Sequence, residues 1–239
     1  MKHLTRISAL TAGGALALGL LAAPAAQAAG ASSGSTSASA KGTALTVVKS
    51  LAAARITGRI ATLQALQLAV SDSAKLTSSD KSALSTLLSS DLSGLQALNT
   101  KISGETTVAA VRADEVVMVD DYRVYLLVAP KTHLSIVFDD EADVITKLQS
   151  VYSALSADLG KAGGGTSTEQ SELADMQSQI NAAQTALNGE ESTLLAIQPG
   201  ADASTITGQL QPLRASAKSV RKDLGQAVTD AKAVRAALG

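Results

Sequence analysis

The chain contains no cysteine and no tryptophan among its 239 residues. The absence of cysteine excludes disulfides, thiol chemistry and lipid modification of an N-terminal cysteine. We therefore expect the stability of the protein to come from packing alone.

The first 28 residues have the pattern of a secretory signal peptide. Lys2 and Arg6 form a short basic region, residues 7–23 are apolar, and Ala26-Gln27-Ala28 matches the small-x-small cleavage pattern. An uncleaved membrane helix is the alternative, which the short apolar segment disfavours. No later segment approaches the roughly 20 apolar residues that span a bilayer. We expect an exported protein that is cleaved near Ala28 and has no membrane anchor.

Charge and histidine are also limited. The full chain has 20 basic residues, 21 acidic residues and two histidines. Removal of the signal peptide takes away Lys2, Arg6 and His3, which leaves a net charge of −3 and one histidine, His133. A nearly balanced chain has no general attraction to nucleic acid. One imidazole without cysteine cannot build the usual zinc site, which needs three or four nitrogen or sulfur ligands. A general base beside a hydroxyl is the alternative for His133, but we interpret it as a helix-start or packing residue.

Residues 29–42 are rich in Ser, Gly and Ala and lack apolar periodicity, which predicts a flexible tether. Beyond it, apolar residues recur at helical spacing, which predicts a helical bundle over residues 43–160. The predicted first helix covers residues 43–70. A capping box at Thr77–Asp80 opens the second helix, and Pro130 opens the fourth.

The region before Pro130 allows two interpretations. A third helix from Thr107 continues through Leu126, or residues 122–128 are extended and form a hairpin that turns at residues 129–132. The helical interpretation is preferred.

The last part of the chain has regular heptads. A Gly-rich linker is predicted at residues 161–168, and residues 169–239 then carry two apolar stripes separated by Pro199-Gly200. The first stripe lies in an acidic segment and the second in a basic one, so the two helices attract each other. We predict an all-α antiparallel bundle of five or six long helices with a C-terminal coiled-coil hairpin that packs on the bundle.

The aromatic residues are confined to one region. Tyr122, Tyr125, Phe138 and Tyr152 are the four aromatic residues of the chain. Because large rings contribute most to burial, we expect Tyr122, Tyr125 and Phe138 to anchor the turn between the third and fourth helices. If the rings are exposed instead, the region is a binding surface. The candidate interaction patch comprises Asp120, Asp121, Tyr122, Arg123, Tyr125, Lys131, His133, Phe138, Asp139 and Asp140.

Acidic residues bracket the aromatic region. If Asp120 and Asp121 approached Asp139 and Asp140, their carboxylates could bind a hard cation such as calcium or perform acid–base work on a glycan. Solvated acids near helix ends are the simpler interpretation. We interpret Arg123 as an intrachain brace to Asp120 or Asp121.

The segment from Asp121 to Leu134, DYRVYLLVAPKTHL, resembles a block in secreted, helix-rich proteins of high-GC actinobacteria. The Ala-rich signal and the segment Val220–Leu224 are similar too. The resemblance implies an exported location and a helical fold, and it supplies no catalytic residue. The chain departs from the pattern at residues 138–141, where an Ala-rich run with an arginine is expected.

These observations favour a non-catalytic protein of the cell envelope or extracellular space with a structural or protein-interaction role. We expect a protein or cell-wall component as partner, oligomers through the coiled-coil helices, and no cofactor. A calcium-dependent adhesin is the alternative, and a secreted hydrolase is a third.

Overall fold

The structure, a computed structural model, describes residues 35–239, with side chains from residue 39 onward. The predicted signal peptide and residues 29–34 of the predicted tether lie outside the described residues. The described residues are all-α and contain no strand. The helices are α1 (Ser35–Asp72), α2 (Ser78–Gly104), α3 (Val108–Asp120), a π-helical turn (Val124–Val128), α4 (Ala129–Lys161), α5 (Ser167–Leu187), α6 (Glu190–Ala196) and α7 (Ala203–Leu238).

Helix α1 begins earlier than predicted. Residues 35–42, expected to belong to the flexible tether, form its first turns. Alanine, the best helix former, alternates with serine there, and the only glycine is Gly42, so the helix continues outward from its packed part. The described side chains of this extension are exposed.

Helices α1, α2 and α3 share one apolar core. Most apolar residues at helical spacing in α1 and α2 are buried, whereas Leu45, Val48, Ile60 and Leu92 are partly buried. Val111 and Met118 of α3 complete the core. Polar contacts accompany this packing: Gln67 donates to Ser89 Oγ at 3.2 Å, and Lys49 Nζ donates to the Ser103 carbonyl at 2.8 Å. The buried core residues of α1 and α2 are Ala52, Ile56, Leu63, Leu66, Val70, Leu84, Leu88, Leu95, Leu98 and Ile102.

The start of α2 follows the predicted capping box only in part. Thr77 is the N-cap, and its Oγ1 accepts a hydrogen bond from the Asp80 amide at 3.2 Å. The Thr77 amide donates to Asp139 Oδ2 of α4, at 2.6 Å, and not to the Asp80 side chain as in a capping box. A residue on a distant helix therefore completes the cap.

The hairpin alternative for residues 122–128 is wrong, since this segment holds the π-helical turn. The expected continuation of the third helix is also wrong, because α3 ends at Asp120 and the π-helical turn leads directly into α4. The Val128 amide bonds the Arg123 carbonyl at 3.2 Å, a five-residue spacing.

A short loop joins α4 to α5. Gly163, Gly164 and Gly165 all have positive φ angles, of 87°, 95° and 71°. A Cβ at Gly165 would lie 2.4 Å from Leu159 Cδ1, so this position requires glycine for space as well. A capping box of Thr166 with Glu169 then opens α5.

The first of the two helices predicted in residues 169–239, the one before Pro199-Gly200, is interrupted. Helix α5 ends at Leu187, and Gly189, with φ of 80°, starts the separate helix α6. The glycine adopts the left-handed conformation that an ordinary helical residue avoids.

Helices α4, α5 and α7 share a second core, formed by apolar residues of all three. At one end, Arg221 Nε of α7 donates to Glu141 Oε1 of α4 at 3.0 Å. Ser216 Oγ of α7 donates to the Ala186 carbonyl of α5 at 2.6 Å. A third core joins the π-helical turn and α4 to α6 and the first half of α7.

Among the helices of the described part of the chain, none combines the length and apolar character required to cross a membrane.

Candidate functional site

The candidate residues lie in the segment from the end of α3 into α4, which we call the junction (residues 120–143). Arg123 is its most constrained residue. It has a φ of 42°, the left-handed region, which costs a residue with a Cβ about 1–3 kcal/mol. Its guanidinium donates to the carbonyls of Gly200 and Ala201 at 2.7 and 2.6 Å and to Asp120 Oδ1 at 2.8 Å. Arg123 thus braces Asp120, as expected, and also fixes the loop before α7.

Lys131 is buried, with 3% of its surface exposed. Its ammonium donates to the Leu195 and Ile197 carbonyls at 3.0 and 2.6 Å, at the end of α6. These carbonyls lack helical partners because α6 ends there, so Lys131 provides the cap. Burial lowers the pKa of Lys131, while the nearby carboxylates of Asp91 and Glu191 oppose the shift.

The two tyrosines of the junction have different surroundings. Tyr122 is partly buried against Gly94 of α2, where a Cβ would lie 2.4 Å from the phenol oxygen. Tyr125 is 55% exposed, and the guanidinium of Arg59 lies 5.1 Å from its ring centroid. The expectation that Tyr125 is a buried anchor is therefore wrong, because its position in the π-helical turn directs the ring along the surface of α1.

Phe138 is 2% exposed and belongs to the core that joins α4 to α6 and α7. The expected burial of this ring is confirmed. Leu127 and Val128 of the π-helical turn are also buried, so the aliphatic residues of the block contribute more anchoring than Tyr125.

The four candidate acids of the junction share no partner. Asp120 pairs with Arg123, Asp139 accepts from the Thr77 amide, and Asp140 pairs with Lys75 at 2.7 Å. Asp121 is exposed. Within the part of the chain that the structure describes, no group of three or more His, Asp or Glu residues is arranged to hold a metal ion. The contacts of these acids thus give the calcium interpretation no support.

His133 lies near the start of α4 with an exposed side chain. The exposed members of the candidate patch are therefore Asp121, Tyr125 and His133, whereas Lys131 and Phe138 are buried. The ten candidate residues do not form one continuous surface.

Three acids that are buried or partly buried were not among the candidates. Glu141 is 4% exposed, one of its oxygens accepts from Arg221, and burial raises its pKa to about 7. Glu191 of α6 accepts from Ser135 Oγ at 2.6 Å, and burial raises its pKa to about 7 as well. Burial raises the pKa of Asp91 on α2 to about 6. Glu141 lies between the buried residues Phe138 and Ile145 at helical spacing. An acid at an apolar position of a helix is the sequence signal that could have indicated this buried carboxyl group.

Comparison with known proteins gives no family for this chain. No protein-family model, curated protein or solved structure matches it. The function must therefore be argued from the residues and their geometry.

Proposed function

We propose that the chain is an exported, non-catalytic helical protein of the cell envelope or extracellular space, with a structural or protein-interaction role. The observation that carries this proposal is the use of the charged residues of the junction. Arg123, Lys131 and Asp139 each bond main-chain groups of distant helices or loops. The most distinctive residues of the sequence thus hold the helices of this chain together, as expected of a scaffold.

The helices of this scaffold form an antiparallel bundle in our proposal. Lys49, early in α1, contacts Ser103 near the end of α2, and Gln67, late in α1, contacts Ser89 in the middle of α2. The two helices therefore run in opposite directions. For the C-terminal pair, the shared apolar core and the Ser216–Ala186 contact support an antiparallel hairpin of α5 with α7. The short helix α6 is inserted before the turn of this hairpin.

The surface that meets a partner, in this proposal, is the exposed side of the junction. Tyr125 is more than half exposed with Arg59 on its ring, and Asp121 and His133 are exposed on the same segment. Tyrosine and arginine are the residue types that contribute most to protein interfaces. The partner is a protein or a cell-wall component.

Export is tested with the full chain carrying a C-terminal tag in a bacterial host. The proposal expects tagged protein outside the cytoplasm, with an N-terminus at residue 29 by mass spectrometry. A matched variant with Ala26→Asp and Ala28→Asp removes the small residues of the cleavage site and should remain uncut. Uncut parent protein in the cytoplasm would overturn the proposed location.

The interaction role is tested by sedimenting the purified chain with isolated cell envelopes. Tyr125→Ser should reduce the bound fraction, whereas Leu68→Ser should leave it unchanged, since Leu68 is 61% exposed on α1 and lies outside the junction. Equal binding by both variants and the parent would exclude the junction as the interaction surface.

A further inference from the structure

A small cavity lies where α2, the π-helical turn, α4 and the loop after α6 meet. Its volume is about 150 Å³, and its polar lining groups are Asp91, Tyr122, Lys131 and Gln198. The remaining lining is aliphatic or proline. A cavity of roughly this volume holds a molecule the size of benzene, about six heavy atoms. Ala83, Gln198 and Pro199 are exposed, so the mouth of the cavity lies between α2 and this loop.

Asp91 and Lys131, which carry opposite charges, both line the cavity but form no ion pair with each other. Lys131 uses two of its N–H groups on the Leu195 and Ile197 carbonyls, which leaves one donor. Asp91 is partly buried, and within the described part of the chain it makes no hydrogen bond and no ion pair within 4.0 Å. Its oxygens are not among the fully buried side-chain atoms without a partner, so the carboxylate keeps contact with solvent and is accessible to a ligand. The raised pKa of Asp91 and the lowered pKa of Lys131 both reflect this burial.

We propose that the cavity binds a small zwitterion, whose ammonium group contacts the Asp91 carboxylate and whose carboxylate accepts a hydrogen bond from Lys131 Nζ. A free amino acid with a short side chain has both groups and the required size. Tyr122 and Gln198 also line the cavity; Gln198 Nε2 donates to the Ala196 carbonyl at 3.2 Å, so its Oε1 is the acceptor left for a ligand, and the aliphatic lining accepts a methyl group. The site goes beyond the scaffold role and does not depend on it.

Isothermal titration of the purified full chain with glycine and L-alanine, up to about 10 mM, tests the proposal. Ligands this small bind at best in the micromolar range. We expect saturable binding by the parent. Asp91→Asn keeps the shape of the side chain and removes its charge, so its affinity should fall roughly tenfold or more, because a hydrogen bond to a charged group is lost. The matched variant Asp175→Asn, at an exposed position of α5, should bind as the parent does.

Other ligands and a second variant locate the site. Acetate and methylammonium each carry one of the two charges and should bind much more weakly than glycine. Ala83 is exposed at the edge of the cavity, so Ala83→Leu obstructs the opening and should weaken binding while the helical circular dichroism stays unchanged. An absence of heat with every zwitterion would overturn the proposal and leave the cavity filled by water alone. Equal affinity for Asp91→Asn, for Ala83→Leu or for the singly charged ligands would overturn it as well.

Discussion

The junction and the pair of helices α5 and α7 are held by different kinds of contact. In the pair, apolar residues meet along the second core, from Leu173 to Ala183 on one helix and from Val220 to Val234 on the other. In the junction, Arg123 and Lys131 make hydrogen bonds to particular carbonyls. An apolar seam tolerates replacement by side chains of similar volume, whereas a hydrogen bond to a buried carbonyl requires one donor at one place. The regular part of the bundle is therefore specified by the spacing of its apolar residues, and the junction by individual hydrogen-bonding atoms.

The substitution with the largest expected effect on stability is at Phe138, in the apolar packing of the junction. Phe138→Ala should lower the free energy of unfolding by about 3–5 kcal/mol, because a fully buried ring leaves a cavity. Urea unfolding followed by circular dichroism measures the loss. A variant as stable as the parent would contradict the burial of this ring.

A matched pair of substitutions compares the two regions directly. Lys131→Met keeps the length of the side chain and removes its donors, which leaves the Leu195 and Ile197 carbonyls unpaired and should cost about 1–3 kcal/mol. Met176→Leu, in the core of α5, should cost less than about 1.5 kcal/mol. Both are measured by urea unfolding under the same conditions. A larger loss for Met176→Leu than for Lys131→Met would reverse the comparison.

The buried acids predict a pH dependence. Burial raises the pKa of Glu141 and Glu191 to about 7 from 4.5, so the folded chain binds protons more tightly than the unfolded chain between these values. The free energy of unfolding should therefore fall as the pH rises from 5 to 8, by at most about 2.5 kcal/mol for Glu141 alone. Asp202, whose pKa is held well below its usual range by bonds from Ser204 and Thr205, acts only in stronger acid.

Chemical denaturation at pH 5 and pH 8 measures this change. Glu141→Gln should flatten the dependence by removing one of the titrating groups. Stability that increases from pH 5 to pH 8 in the parent would show that these carboxyl groups remain ionised at low cost.

The smallest expected effect concerns Tyr125. Tyr125→Ala removes an exposed ring and a contact with Arg59 that contributes roughly 0.5–1 kcal/mol at such a site. We expect a loss of less than about 1.5 kcal/mol in urea unfolding, well below the loss for Phe138→Ala. Similar losses for the two rings would mean that Tyr125 is buried in solution.

The helices and their buried faces could be predicted from the sequence because each follows a local rule. Apolar residues at helical spacing predicted the bundle over residues 43–160, and Leu84, Leu88 and Leu95 at this spacing are buried. The hydroxyl of Thr77 indicated the start of α2. The interruption before α6 also had a local signal, the dipeptide Asn188-Gly189, which is typical of turns.

The contacts of the junction could not be predicted, because they join atoms that are far apart in the sequence. Nothing in the sequence around Asp139 shows that it bonds the Thr77 amide, 62 residues away. The π-helical turn depends on the same long-range packing, since its aliphatic residues are compatible with helix and strand alike. Because these long-range contacts could not be predicted, the candidate patch combined residues that are buried in the fold with residues that are exposed.

The brace formed by Arg123 has a consequence for the order of folding. Its bonds to Gly200 and Ala201 join groups 77 and 78 residues apart, so they close a loop that contains α4, α5 and α6. Closing a loop costs entropy that grows with its length, and contacts of large sequence separation slow folding. The junction is therefore expected to close after the helices inside this loop have formed, and its opening releases the segment that holds α4, α5 and α6 at once.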